Sequence, residues 1–167
     1  MAETKLRQYA VVERLNKMDV DLIIVSPSCD SDAIPNDDII FNFTEIPNAV
    51  SVNGGSAIIQ SIHVLDKAAQ AQTMDIFFQT DSTSLGTLGG DPSMGDSDAT
   101  DIIGFTTLSS WSAGGTGWHI STKTNIGMVV QAPAGSRSIY FAGINRSGSN
   151  ATYGASGLQF KIGIVKD

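Results

Sequence analysis

The sequence predicts an all-β fold, an antiparallel β-sandwich of jelly-roll-like form with an N-terminal arm and one short helical turn. Three observations lead to this prediction. About eight or nine short segments alternate apolar and polar residues, as strands with one wet face do. Turn-forming residues separate these segments at regular spacing, and the chain holds 17 glycines. The length of 167 residues suits one domain with its own core.

Residues 1–38 are predicted to form the arm, and residues 39–167 the β-sandwich domain. The basic segment between residues 5 and 18 fits either a short helix or a strand, because its apolar spacing is loose. One short strand is expected within the arm, over residues 21–26, where an apolar run stops at Pro27. The run lacks polar alternation, which predicts that this strand is buried. Residues 27–38 are rich in Pro, Ser, Asp and Asn and predict a loop.

The regular strand pattern begins at residue 39. Residues 39–43 form an apolar strand candidate, and Asn53-Gly54-Gly55 predicts a turn because Asn and Gly tolerate positive φ. Residues 57–65 alternate well enough to predict a strand. One face of that strand is predicted to hold Ile58, Ile62 and Val64.

The middle of the chain combines a strand, a long loop and the helical turn. In residues 74–79 the apolar side chains Met74, Ile76 and Phe78 are predicted to lie on one side. Residues 80–95 are rich in Gly, Ser and Asp and are long enough for a surface loop with its own role. Residues 97–104 predict the helical turn, with Ser97 as N-cap and Gly104 just past its end.

The C-terminal third predicts four further extended segments, at residues 105–108, 126–131, 138–144 and 158–165. The last of them has the cleanest alternation in the chain. Its apolar face is predicted to hold Leu158, Phe160, Ile162 and Ile164. A core between two sheets is therefore the expected environment of this strand.

Charge and cysteine content exclude several classes of protein. The net charge is −7 and the basic residues are scattered, so nucleic-acid binding through phosphate contacts is not expected. No apolar run approaches the roughly 20 residues of a membrane span, and we expect no export by a signal peptide because the first residues lack an apolar core. Cys29 is the single cysteine, cannot form an internal disulfide, and is expected to be a small apolar side chain next to a turn.

The residues that carry chemistry do not form a known catalytic pattern, so no enzyme, cofactor or metal site is predicted. His63 is expected at a solvated or rim position, and His119 has no partner in sequence. The acidic stretch around Asp96 fits a solvated loop with helix capping better than a calcium loop, which needs a terminal Glu. Trp111 and Trp118 flank a Ser/Gly-rich loop and fit either core packing or an interface.

Several segments together resemble the structural proteins of tailed bacteriophages. One contains Gly-Gly-Ser followed by Ser-Ile-His-Val-Leu-Asp, and the next has the form apolar-Asp-apolar-Phe-Phe. The resemblance covers residues 46–167 and keeps the order of the elements. The segments that carry it are residues 46–66, 74–78, 97–104, 140–144, 151–153 and 158–164.

This resemblance implies a capsid decoration protein, also called an auxiliary head or cement protein. It implies a non-enzymatic role on the outer capsid surface of virions assembled in the host cytoplasm, with the major capsid protein and sister subunits of a homotrimer as partners. The candidate capsid or subunit interface consists of Leu6, Arg7, Tyr9, Arg14, Lys17, Trp111 and Trp118. The alternative is a phage tail or fibre component, or a carbohydrate-binding β-sandwich that contacts a host surface.

Overall fold

The structure, a computed structural model, describes residues 19–166 of the chain. These residues form nine strands and one helix of a single turn, which is too short to cross a membrane. In chain order the elements are β1 (Asp19–Val25), β2 (Ile39–Ile46), β3 (Ser56–Asp66), β4 (Met74–Gln79), α1 (Asp96–Ala99), β5 (Ile102–Leu108), β6 (Trp111–Ala113), β7 (His119–Gln131), β8 (Ile139–Asn145) and β9 (Leu158–Lys166).

The strands pair as a jelly roll, which confirms the predicted fold class. The five-stranded sheet has the order β1-β9-β3-β7-β6, and the four-stranded sheet has the order β2-β8-β4-β5. All pairs are antiparallel. The pairing is nested: β1 with β9, β2 with β8, β3 with β7 and β4 with β5. A long hairpin folded over on itself gives this order, which is the double Greek key of jelly rolls. The short strand β6 extends one edge.

The core lies between the two sheets and is built around aromatic side chains. Phe41 and Phe160 are fully buried and both contact Phe141, with ring centroids 5.1 Å apart in each pair. The strands β4 and β9 point the predicted side chains into this core, so the alternation in both was interpreted correctly. Such aromatic pairs add about 0.5–1.5 kcal/mol each beyond the area that they bury.

The strand predicted over residues 21–26 exists as β1, but the prediction that it is buried is wrong. It is an edge strand paired only with β9, and it alternates. Ile23 and Val25 point to the core, whereas Val20, Leu22 and Ile24 are exposed. A short apolar run cannot show which of its faces a second layer covers. This strand was assigned to the arm, but in the structure it is part of the five-stranded sheet. Residues 1–18 of the arm lie outside the described residues.

The prediction that Ile58 shares a face with Ile62 and Val64 is also wrong. Ile59, Ile62 and Val64 are buried, and Ile58 points outward. The registers of β3 with both neighbours shift between Ile59 and Ser61: Gln60 is the extra residue of a β-bulge relative to β9, whereas opposite β7 the extra residues lie on β7. One extra residue reverses the alternation, so the side chains before and after it change faces.

The helical turn is shorter than predicted. α1 ends at Ala99, and Gly95 rather than Ser97 is its N-cap. Gly104 does not follow a helix, because it lies within β5 opposite Phe78 of β4. β7 is longer than predicted, since its polar first half pairs with β3. In both places pairing with a neighbouring strand determines the backbone conformation. The local sequence does not show this pairing.

Candidate interaction surface

The chain itself covers the outer face of the four-stranded sheet over β2, β8 and β4, while Phe105 on the edge strand β5 stays 57% exposed. The loop of residues 80–95 folds over it, and Leu85, Leu88 and Met94 form a second small apolar cluster with residues of β2 and β8. Ile39 and Leu85 are almost completely buried there. The loop was predicted to have its own role, and in the structure it closes one face of the sandwich.

Asn42 of β2 holds this loop in place. Its Nδ2 donates to the Gly86 carbonyl oxygen at 2.8 Å and to Ser84 Oγ at 2.6 Å, and its Oδ1 accepts from the Leu85 amide at 2.9 Å. Backbone bonds between Ile39 and residues 89–90, both 3.0 Å long, add to this attachment. The Asn42 side chain therefore provides hydrogen bonds to a loop segment that forms no regular strand pairing of its own.

The outer face of the five-stranded sheet has no such cover among the described residues. Four aliphatic side chains lie in register across four strands there, on β1, β9, β3 and β7. We call them the apolar row: Val20, Val165, Ile58 and Val129. Val20 is 67% and Val129 66% exposed, which is unusual for β-branched residues placed side by side. A shallow, almost wholly apolar groove of about 310 Å³ lies along Ile58, Val129 and Val165.

This face also differs from the rest of the domain in charge. Fourteen of the 17 acidic residues lie within residues 19–166. The strands of the five-stranded sheet carry three acidic residues, Asp19, Asp21 and Asp66. Their side chains lie on the inner side of the sheet, because each residue is paired with one whose side chain faces inward. On the outer face the titratable side chains of the paired strands are Lys161 and His63, directly opposite each other. An acid-free face on an acidic domain can approach another acidic protein without strong repulsion.

A second apolar area lies at the other end of the same face. We call it the Trp118 patch, formed by Leu65, Trp118 and Ile120. The Trp118 side chain is 39% exposed, and its ring lies over Gly114, where any larger residue would collide with it. Lys67 borders the patch. An exposed indole held rigidly in this way is a typical anchor for an interface.

The two tryptophans, for which the sequence left core packing and an interface open, have different environments in the structure. Trp111 is half-buried against the core, and its Nε1 donates to the Gln72 carbonyl oxygen at 3.1 Å. Tyr153, a third aromatic candidate for a sugar-binding face, is buried. Trp118 is thus the member of this set that lies on the outer face. The remaining predicted interface residues lie outside the described residues: Leu6, Arg7, Tyr9, Arg14 and Lys17.

The titratable side chains of the described residues do not gather into a metal-binding group. No group of three or more His, Cys, Asp or Glu within residues 19–166 is arranged to hold a metal ion. His63 is exposed and pairs with Thr122 Oγ1 at 2.9 Å, in agreement with the predicted rim position. Cys29 is buried, and burial raises the pKa of its thiol to about 12, which keeps it protonated and unreactive.

Two groups of ion pairs, which lie outside this face, join strands and loops at the two ends of the sandwich. Lys166 Nζ is buried and donates to Asp21 Oδ2 at 2.9 Å, which ties the first strand to the last. This hydrogen bond lowers the pKa of the Asp21 carboxyl below its ordinary value. At the opposite end of the sandwich, Arg146 bridges Asp75 and Asp37.

Comparisons with known proteins do not assign the chain to a family. No family model and no curated protein matches it. Among solved structures it is similar to a chain of Desmodium yellow mottle tymovirus, at 8% identity over 90% of this chain and 81% of that one, with a TM-score of 0.28. A TM-score this low carries no weight for function, which is therefore inferred from the residues described above.

Proposed function

We propose that this protein is a non-enzymatic structural component of a virion, which binds the outer surface of a tailed-phage capsid and reinforces it. Its partners in this proposal are the major capsid protein and sister copies in a homotrimer, and it needs no cofactor, nucleic acid or membrane. The resemblance of residues 46–167 to phage decoration proteins suggests the partner.

The observation that carries the proposal is the difference between the two outer faces of the sandwich. One face is covered by the loop of residues 80–95 over three of its four strands, whereas the other has no such cover among the described residues, is apolar at both ends and is free of acidic side chains. A jelly roll that functions alone gains nothing from exposing aliphatic side chains, because they lower solubility. Binding of this face to a protein shell removes them from water and gives roughly 25 cal/mol per Å² of apolar surface buried.

The geometry also suits a reinforcing role. Many copies on one shell each need only a modest contact, since neighbouring contacts act together once a subunit bridges capsomers. The acidic remainder of the domain then faces solvent, where it keeps a densely decorated particle from aggregating.

The alternative, a module that binds carbohydrate on a host surface, is supported by the Trp118 patch alone. An exposed indole beside Ile120 and Lys67 offers a platform on which a sugar ring can stack. The burial of Trp111 and Tyr153 weakens this alternative, because they do not extend the platform.

The test is co-sedimentation of the purified protein with mature heads of its own phage that lack it. Saturable binding at a ratio tied to the number of capsomers is the expected result. Ile120→Asp, in the Trp118 patch, should weaken binding about tenfold or more, as a charge in an interface core does. Phe105→Asp places the same charge on the opposite sheet, at a side chain 57% exposed, and should bind as the wild type does.

Absence of binding to heads would refute the proposal. If both variants are folded by thermal melting and weaken binding equally, the outer face of the five-stranded sheet is not the surface that contacts the capsid. Failure on heads together with glycan binding that Trp118→Ala abolishes would instead establish the carbohydrate-binding alternative.

A further inference from the structure

Two basic side chains lie side by side on the outer face of the five-stranded sheet, between its two apolar areas. We call Lys161 of β9 and His63 of β3 the cationic row, because they are directly opposite each other. Along β9, Lys161 is four residues from Val165 of the apolar row and two from the residue that pairs with Leu65 of the Trp118 patch. At about 3.4 Å per residue, these separations are roughly 14 Å and roughly 7 Å. A partner that covers both apolar areas therefore covers the cationic row as well.

The ammonium group of Lys161 has no acidic partner in the part of the chain that the structure describes. Ion pairs within residues 19–166 take up the charges of Lys166 and Arg146, and none of them includes Lys161. Lys161 is exposed, so water solvates its charge in the free protein. When a bound protein excludes that water, the lost solvation opposes binding unless a new partner replaces it. A carboxylate is the acceptor that replaces it best.

His63 is oriented to act on the same group as Lys161. Its Nδ1 lies 2.9 Å from Thr122 Oγ1, and its Nε2 has no hydrogen bond to any described residue. A neutral ring whose Nδ1 accepts from the threonine hydroxyl carries its proton on Nε2, and a protonated ring donates from both nitrogens. Nε2 is a donor in both of these states. The sheet thus places a second donor directly opposite the lysine.

The surface on both sides of the cationic row leaves room for a carboxylate to enter. A cavity of about 100 Å³ lies between the row and the Trp118 patch, and its walls include Leu65, Ile120 and Gln159. On the other side of the row, Gly163 pairs with Ser61. A Cβ at Gly163 would lie 2.4 Å from Ser61 Oγ, so the serine hydroxyl lies over the glycine and the sheet surface is low there. Two donors between apolar walls fit an acidic side chain that has apolar neighbours.

We propose that Lys161 and His63 bind one carboxylate, from an Asp or Glu of the capsid protein that this face contacts. The inference rests on the proposed function and adds the chemistry of the partner to it. The chain has a net charge of −7, yet the paired strands carry no acidic side chain on this face, so an acidic group can approach it without repulsion. A nucleic-acid phosphate is a poorer ligand, because affinity for a polyanion requires many basic contacts.

The first test is a zero-length cross-link on phage heads saturated with the wild-type protein. A carbodiimide activates a carboxyl group, and a lysine amine in contact with it displaces the urea to form an amide. Mass spectrometry should find the Lys161 peptide joined to an Asp or Glu of the capsid protein. Lys123 is the internal control and should form no such link, because it is exposed on β7 but pairs with the inward-facing Ile62.

The second test is the affinity of variants for the same heads. Lys161→Met removes the charge but keeps a long stem, and should weaken binding about tenfold or more. Lys161→Arg keeps the charge and should stay within about threefold of wild type, while it loses the cross-link. Lys123→Met changes the net charge equally and should bind as the wild type does. His63→Leu removes the second donor and should weaken binding by a smaller factor than Lys161→Met.

The outcomes distinguish this inference from the proposed function. If the wild-type protein does not bind heads, both fail. If it binds and Lys161→Met and His63→Leu bind equally well, the inference alone is overturned. A Lys161 cross-link to a second copy of this chain, or no Lys161 cross-link on saturated heads, would also overturn it and leave capsid binding intact.

Discussion

Asn42→Ala tests how the loop of residues 80–95 is held. The substitution removes the three hydrogen bonds that join Asn42 to the loop, at Ser84, Leu85 and Gly86, all between 2.6 and 2.9 Å, and a local one from the Phe43 amide within β2. At about 1 kcal/mol net for each bond, closure of the loop should lose roughly 2–3 kcal/mol. The core between the sheets is untouched, because Asn42 lies on the outer side of β2 next to core residue Phe41. The loss should therefore appear as local opening before global unfolding.

Hydrogen exchange measures this directly. The Ser93 amide donates to the Leu85 carbonyl oxygen at 2.7 Å and does not contact Asn42, so it reports on the loop as a whole. Its exchange should accelerate roughly 100-fold in Asn42→Ala, since 1.4 kcal/mol corresponds to a factor of ten. Thr87→Ala is the control, because Thr87 is an exposed residue of the same loop outside the Asn42 contacts, and it should change the rate less than about tenfold. An unchanged Ser93 rate in Asn42→Ala would refute the assigned role.

Three further predictions concern the sandwich itself. Phe160→Ala should lower the free energy of unfolding by about 3–5 kcal/mol, because its fully buried ring contacts two other phenylalanines; a loss below about 1 kcal/mol in denaturant titrations would mean that β9 faces the other way. Asn145→Ala should cost roughly 2–4 kcal/mol, because the buried amide donates to three carbonyl oxygens, and a melting temperature equal to wild type would contradict this. Asp21→Asn should cost about 1 kcal/mol at neutral pH by removing the ion pair with Lys166. Because the folded state lowers the pKa of Asp21, its contribution is complete above the unfolded pKa of about 3.9 and is lost as pH falls below it, so the two proteins should converge there.

The elements with regular alternation could be predicted from the chain alone. In β4 and β9 every second side chain is apolar, and a strand with one buried face has no other stable arrangement. The same local rule predicted the solvated position of His63. It also predicted a sandwich, because many short alternating strands need a second layer to cover them.

The candidate surface depends on contacts between residues distant in sequence. Nothing near Ile58 shows that Gln60 forms a bulge, yet the bulge turns Ile58 outward and completes the apolar row. The sequence pattern Asn145-Arg-Ser147 fits a glycosylation site, but the fold buries Asn145 as a hydrogen-bond donor to three carbonyl oxygens.

The two tryptophans show the same limit of local sequence. They lie seven positions apart, and strand pairing directs Trp111 inward and leaves Trp118 on the outer face. Alternation along a strand fixes which side chains share a face. Which face is then covered depends on register, bulges and the path of a loop, because burial is set by whatever packs on top.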